Sequence, residues 1–180
     1  YLFIINDKRT YGERVGQYKA ILEKGVEQDV NIIYNINDNQ NLHVYDLLER
    51  KEIPVKSKED GLEFKVSLPA AGGKIVAILP ETIDRVEVKS IKKILRKQKT
   101  NIQIAIMNKK GLLVPAVIPI QLEIKDPQGN ISAYSDYYAA KDGLLDISFT
   151  AAINDVKGKW TVKATELMSG KTCKMAFILE

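Results

Sequence analysis

The chain has 180 residues, of which 45% are hydrophobic and 28% charged, so it is long enough for one large or two small domains and too apolar for a disordered chain. The net charge of +4 is mild, and no apolar run approaches the roughly 18 residues of a membrane helix. The sequence reads as soluble and globular, with two domains preferred. It opens on Tyr1 and the apolar run YLFII rather than on a methionine, which reads as a piece of a longer polypeptide with any targeting signal left behind.

Alternation with period two dominates, and helical periodicity is scarce. In the first half the pattern predicts strands near 1–6, 28–36, 41–48, 62–68 and 74–79. The stretch 12–25 (GERVGQYKAILEKG) fits a helical turn or another strand, because its three glycines weaken a helix. NDNQN at 37–41 reads as a tight hairpin loop, since asparagine and aspartate bond their own backbone. ERKEIPVKSKEDG is polar, with Asp60-Gly61 as the turn into the next strand.

LPAAGGKIVAILP, residues 68–80, raises the question of a phosphate loop. Such a loop follows a strand and opens a helix, whose N-terminal N–H groups converge on the anion. Here the β-branched run KIVAIL follows and no GKS or GKT occurs, so residues 70–73 read as a reversal between neighbouring strands.

The segment 89–99 (KSIKKILRKQK) carries six basic residues and no acid. Without aromatic residues to stack bases it reads as a solvated linker or a lysine-guarded edge strand, not as a nucleic-acid site. Beyond it, strands are expected near 84–89, 101–108, 117–125, 131–134 or a little further, 144–150, 159–166 and 172–179. Seven strands with turns at Lys110-Gly111, Asp126-Pro127-Gln128-Gly129, Asp142-Gly143, Lys157-Gly158 and Ser169-Gly170 fit a sandwich of about 100 residues. Alternation puts Ile102, Ile104 and Ile106 on one face, and likewise Trp160, Val162 and Ala164, with Trp160 as the large core residue.

Candidate chemistry is sparse. His43 is the only histidine and is expected on a solvent face, and the single Cys173 lies in a strand, so no histidine-cysteine metal cluster is available. Carboxylates such as Glu59, Asp60, Asp126, Asp136, Asp142 and Asp146 fall in turns or on polar faces, and no spacing brings two across a cleft as a glycosidase needs. Calcium could use Asp126, Asn130, Asp136, Asp142, Asn154 or Asp155, but turn chemistry alone explains DPQGN and NDVKG. The candidate ligand-binding residues are Tyr134, Tyr137 and Tyr138 in ISAYSDYYAA, whose flat apolar rings and hydroxyls suit a sugar or a protein, set against half-buried packing.

Residues 41–80 resemble the small all-β domain that trails the catalytic barrel of some bacterial glycoside hydrolases. The resemblance is carried by Val44, Tyr45, Asp46 and Leu47, then Leu68, Pro69, Gly72, Gly73 and Lys74. Residues 114–180 resemble an immunoglobulin-like or macroglobulin-like sandwich through Asp126-Pro127, Gly129, Gly158 and Trp160. The resemblance implies accessory modules of a large extracellular or periplasmic bacterial protein, partnered by other domains of the same polypeptide. No catalytic residue carries over, because the family's acid and nucleophile reside in a barrel outside this sequence.

The expectation is therefore an all-β chain of two tandem antiparallel β-sandwich domains, 1–82 and an immunoglobulin-like 83–180. Its expected role is a non-catalytic structural or interaction module with no cofactor, metal or membrane insertion. The alternative is a carbohydrate-binding module built on exposed tyrosines.

Overall fold

The computed structural model describes all residues except 16–19, 36–40, 59–60 and 91; side chains of 11–23 also lie outside the described residues. The chain divides into two compact units, Tyr1–Leu79 and Pro80–Glu180. Both are built from strands, and the architecture is all-β with tandem sandwich-like sheets.

The first unit holds β1 (Leu2–Ile5), β2 (Arg9–Val15), β3 (Ala20–Gly25), β4 (Gln28–Asn35), β5 (His43–Asp46), β6 (Lys51–Ile53), β7 (Val55–Lys58), β8 (Gly61–Leu68) and β9 (Gly73–Leu79). Its sheets run β1-β9-β5-β6 and β4-β8-β7, with β2 paired to β3. The core is Val44, Ile53 and Val76 from the four-stranded sheet against Leu62, Phe64, Val66 and Leu68 from β8. The alternation of β8 supplies this face, because every second side chain points the same way. Over its described residues 12–25 lies in β2 and β3, so the strand alternative holds there.

One expected hairpin is corrected. Strands β8 and β9 flank LPAAGGK but lie in different sheets, so residues 69–72 carry the chain from one sheet to the other. The turn is closed by Gly72 N donating to Pro69 O at 3.1 Å, with Ala71 at φ +51°. Gly73 then opens β9 against β1, where a Cβ would stand 2.6 Å from Ile4 O, so the glycine serves strand contact and not an anion. The hairpin loop expected at NDNQN lies almost wholly outside the described residues; of the strands that flank it, β4 pairs with β8, and β5 pairs with β6 and β9. The stretch expected to be merely polar contains β6 and β7; of the turn assigned to Asp60-Gly61, Asp60 is outside the described residues.

The second unit holds β10 (Arg85–Lys89), β11 (Lys93–Ile94), β12 (Lys99–Met107), β13 (Ile118–Lys125), β14 (Asp136–Ala140), β15 (Leu144–Thr150), β16 (Gly158–Glu166) and β17 (Thr172–Leu179). They form sheets β10-β12-β15 and β11-β17-β16-β13-β14, antiparallel except for the parallel pair β11–β17. Ile102, Ile104 and Ile106 are fully buried, as are Ile118, Ile120 and Ile124. Trp160 is 4% exposed and stacks on Phe177 at 6.0 Å, while Phe149 meets both rings edge-on. The strand expected near 131–134 is instead β14, and Ile131 makes only a bridge to Lys125. Within 89–99, β11 is the sheet edge: Ile94 is buried while Lys93 is exposed and reaches Glu180 at 2.7 Å, so the guarded-edge alternative holds at Lys93-Ile94.

Candidate functional site

Polar groups converge on the open outer face of the five-stranded sheet. Alternation that turns Trp160, Val162 and Ala164 inward turns Lys159, Thr161 and Lys163 outward. Strand register then lays out a grid. Tyr137, Gln121, Thr165 and Thr172 form one row; Glu123, Lys163 and Lys174 form the next; Lys125, Thr161 and Ala176 the third; Lys159 and Ile178 the fourth. A shallow depression of about 570 Å³ lies over the lysine rows, and a second of about 220 Å³ lies between Gln121, Ile131 and Tyr137; both touch Glu123.

The three candidate tyrosines do not share a surface. Tyr137 is 66% exposed, and its hydroxyl accepts from Gln121 Nε2 at 3.3 Å. Tyr138 follows it in β14 and so points the other way; it is half-buried and donates its hydroxyl to Tyr134 O at 3.0 Å. Burial, then the carboxylate of Asp136, raises its phenol pKa. Tyr134 packs its ring 4.9 Å from Phe149 and its hydroxyl bonds both backbone groups of Thr150, so it closes the aromatic core.

Charge on the outer face is unevenly matched. Lys125 pairs with Glu123 at 3.1 Å. Lys159, Lys163 and Lys174 have no carboxylate within ion-pair reach among the described residues, and Lys163 stands directly opposite Lys174 on the neighbouring strand. Such like-charge neighbours repel. Sequence reading passed over this face; the signal that finds it is the same alternation that buries Trp160.

Other candidates resolve into turn chemistry. Asp46 is 1% exposed; its Oδ1 accepts from Leu48 N and Glu49 N, and its Oδ2 takes Lys74 Nζ at 2.5 Å. The motif pieces of 44–47 and 72–74 thus meet in a buried ion pair. Glu166 is fully buried and receives the backbone N–H groups of Met168, Ser169 and Lys171 together with the Ser169 hydroxyl. Burial alone would raise the Asp126 carboxyl, but the side-chain and backbone donors of Asn130, with those of Gln128 and Gly129, hold it below its usual range. Asp155 likewise accepts from Ala152 N, and Asp136 from Tyr137 N. His43, expected on a solvent face, is half-buried with Nδ1 2.8 Å from Glu52. A further hollow of about 320 Å³ is lined by Ile53, Val55 and Phe64; the carboxylate at its rim, Glu63, is held below its ordinary pKa by hydrogen bonds from Lys58 and Asn31. Among the described residues no three histidine, cysteine, aspartate or glutamate side chains come together as a metal site would require. No described helix is long and apolar enough to cross a membrane.

No family model matches the chain, and no curated protein matches it. Solved structures are similar to it at low identity. The adhesin InvE of Yersinia pseudotuberculosis is 13% identical with a TM-score of 0.44, over 87% of this chain and 49% of the adhesin chain. The filamin domain of Lin-41 is 17% identical with a TM-score of 0.42, over 56% of this chain and 96% of that domain. The CARDB domain of PF1109 from Pyrococcus furiosus is 13% identical with a TM-score of 0.38, over 53% of this chain and 86% of that one.

Proposed function

We propose that the chain is a non-catalytic structural and interaction module of a larger exported bacterial protein, extracellular or periplasmic, whose other domains are its first partners. Its folding domains are 1–82 and 83–180. The observation that carries the reading is the use made of buried polar groups. Asn6, Asp46, Asn108 and Glu166 each give a side-chain acceptor to the backbone of an adjacent turn, which fixes loops without preparing a group for proton transfer or attack. The resemblance of 41–80 to domains trailing glycoside hydrolase barrels supports a carbohydrate-active parent.

In such a module rigidity is the contribution, and affinity comes from an open face, a loop or an edge strand. The test is incubation of the chain with a panel of polysaccharides and aryl glycosides. No release of reducing sugar or aglycone is expected; turnover that disappears on replacing one carboxylate overturns the reading. A second reading, carbohydrate binding, is favoured by Tyr137, whose exposed ring lies beside the exposed Ile131.

A further inference from the structure

We infer that the outer face of the five-stranded sheet binds an acidic polysaccharide, with Lys159, Lys163 and Lys174 taking its carboxylates and the Tyr137 ring stacking on a sugar. This rests on the second reading above and names its ligand class.

Three independent features point the same way. First, Lys163 and Lys174 face each other across β16 and β17; the carboxylate of their row, Glu123, stands opposite Lys163 on β13 and is paired with Lys125, and Lys159 is the next outward position beyond Thr161 on β16. A free sheet gains nothing from opposed cations, whereas an anion laid between them removes the repulsion and adds two attractions. Second, the ends of the face differ in character. Tyr137 and Ile131, each 66% exposed, make an apolar ridge at the β14 edge, and the lysine rows begin across β13. A sugar ring has an apolar C–H face that suits the tyrosine, while carboxylates further along the polymer reach the lysines. Third, the face also presents Gln121, Thr161 and Thr172, an amide and two hydroxyls of the kind that bond sugar hydroxyls.

The same features weigh against other polyanions. Phosphate recognition favours the planar guanidinium, and single-stranded nucleic acid needs several stacking rings. The five strands of this sheet contain no arginine, and Tyr137 is the one ring on its outward face among the described residues. Lysine is a flexible point charge, suited to carboxylates whose spacing varies along a chain.

The test is calorimetric titration of the intact chain with polygalacturonate, with dextran as the neutral probe and polyglutamate and single-stranded DNA as the other anions. Polygalacturonate is expected to bind, weakening as salt rises from about 0.05 to 0.5 M. The K163Q/K174Q variant is expected to lose at least roughly tenfold in affinity, and Y137A a similar factor, with melting temperatures no lower than that of the parent. Dextran binding equally well, with the loss confined to Y137A, overturns the acidic ligand while leaving carbohydrate binding in place. No polysaccharide binding overturns both. Polyglutamate or DNA binding more tightly than polygalacturonate overturns the sugar in favour of a protein or nucleic-acid partner.

Discussion

Lys74 Nζ lies 2.5 Å from Asp46 Oδ2, joining positions 28 residues apart inside the first unit. Asp46 is 1% exposed and its other oxygen caps the turn that follows β5, so one side chain holds both a turn and the start of β9. Removing Lys74 leaves a buried carboxylate without its cation. K74M is therefore expected to cost about 3 kcal/mol in urea unfolding. D46N keeps an acceptor for the turn and leaves Lys74 with Glu49, so its cost is smaller. Equal losses in the two variants would show that the buried charge is not what matters.

In the second unit the same logic is built from rings. Phe149 sits between Tyr134, Trp160 and Phe177, at 4.9, 6.0 and 5.4 Å. Truncating W160A opens a cavity worth about 4 kcal/mol, and thermal unfolding of residues 80–180 should register it. W160F keeps a ring but forfeits the indole donation to Val156 O, a loss of about 1 kcal/mol beyond the packing change. A W160A protein that melts with the parent removes Trp160 from the core.

Gly61 begins β8 at φ +149°, and a Cβ there would fall 2.0 Å from Tyr34 O across the ladder. Since the clash is with backbone, neither strand can yield without breaking the β4–β8 register. G61A is expected to destabilise the first unit by more than about 2 kcal/mol, beyond the ordinary cost of a strained backbone position. Proton exchange of the β4 and β8 amides measures it locally, and unchanged protection there contradicts the prediction.

How much of this was legible follows from where side-chain periodicity is strong. β8 and β13 alternate strictly, and β12 and β16 do so until Ala105 and Thr165, so their inward faces, and Trp160 with them, could be read directly. β6 and β7 are edge or near-edge strands rich in lysine, and their charged residues imitate a loop. Sheet membership was not readable at all: the short link after β8 has the same residues whether it turns back within a sheet or crosses to the other. The site suffered from phase. Expecting a strand near 131–134 left the sidedness of Tyr137 and Tyr138 undetermined, and only the β13 register shows that one faces out and the other in.

Acid should act on the first unit through Glu49. Hydrogen bonds from Lys51 and then Lys74 lower its pKa from the ordinary 4.5 to about 2. The carboxyl binds its proton more weakly folded than unfolded, so its contribution is full above the unfolded value and is lost as pH falls toward the folded one. Burial works to lower the pKa of Lys74, but its bonds to Asp46 and Glu49 raise it, so the lysine stays charged throughout this range. The gap in melting temperature between parent and E49Q should accordingly be present at about pH 6 and close as pH approaches about 2. Because Glu49 is solvent-exposed, the gap is small, and its pH dependence is the informative quantity. A gap that stays constant from neutral to acid would mean that Glu49 acts through packing, and that Lys74 serves Asp46 alone.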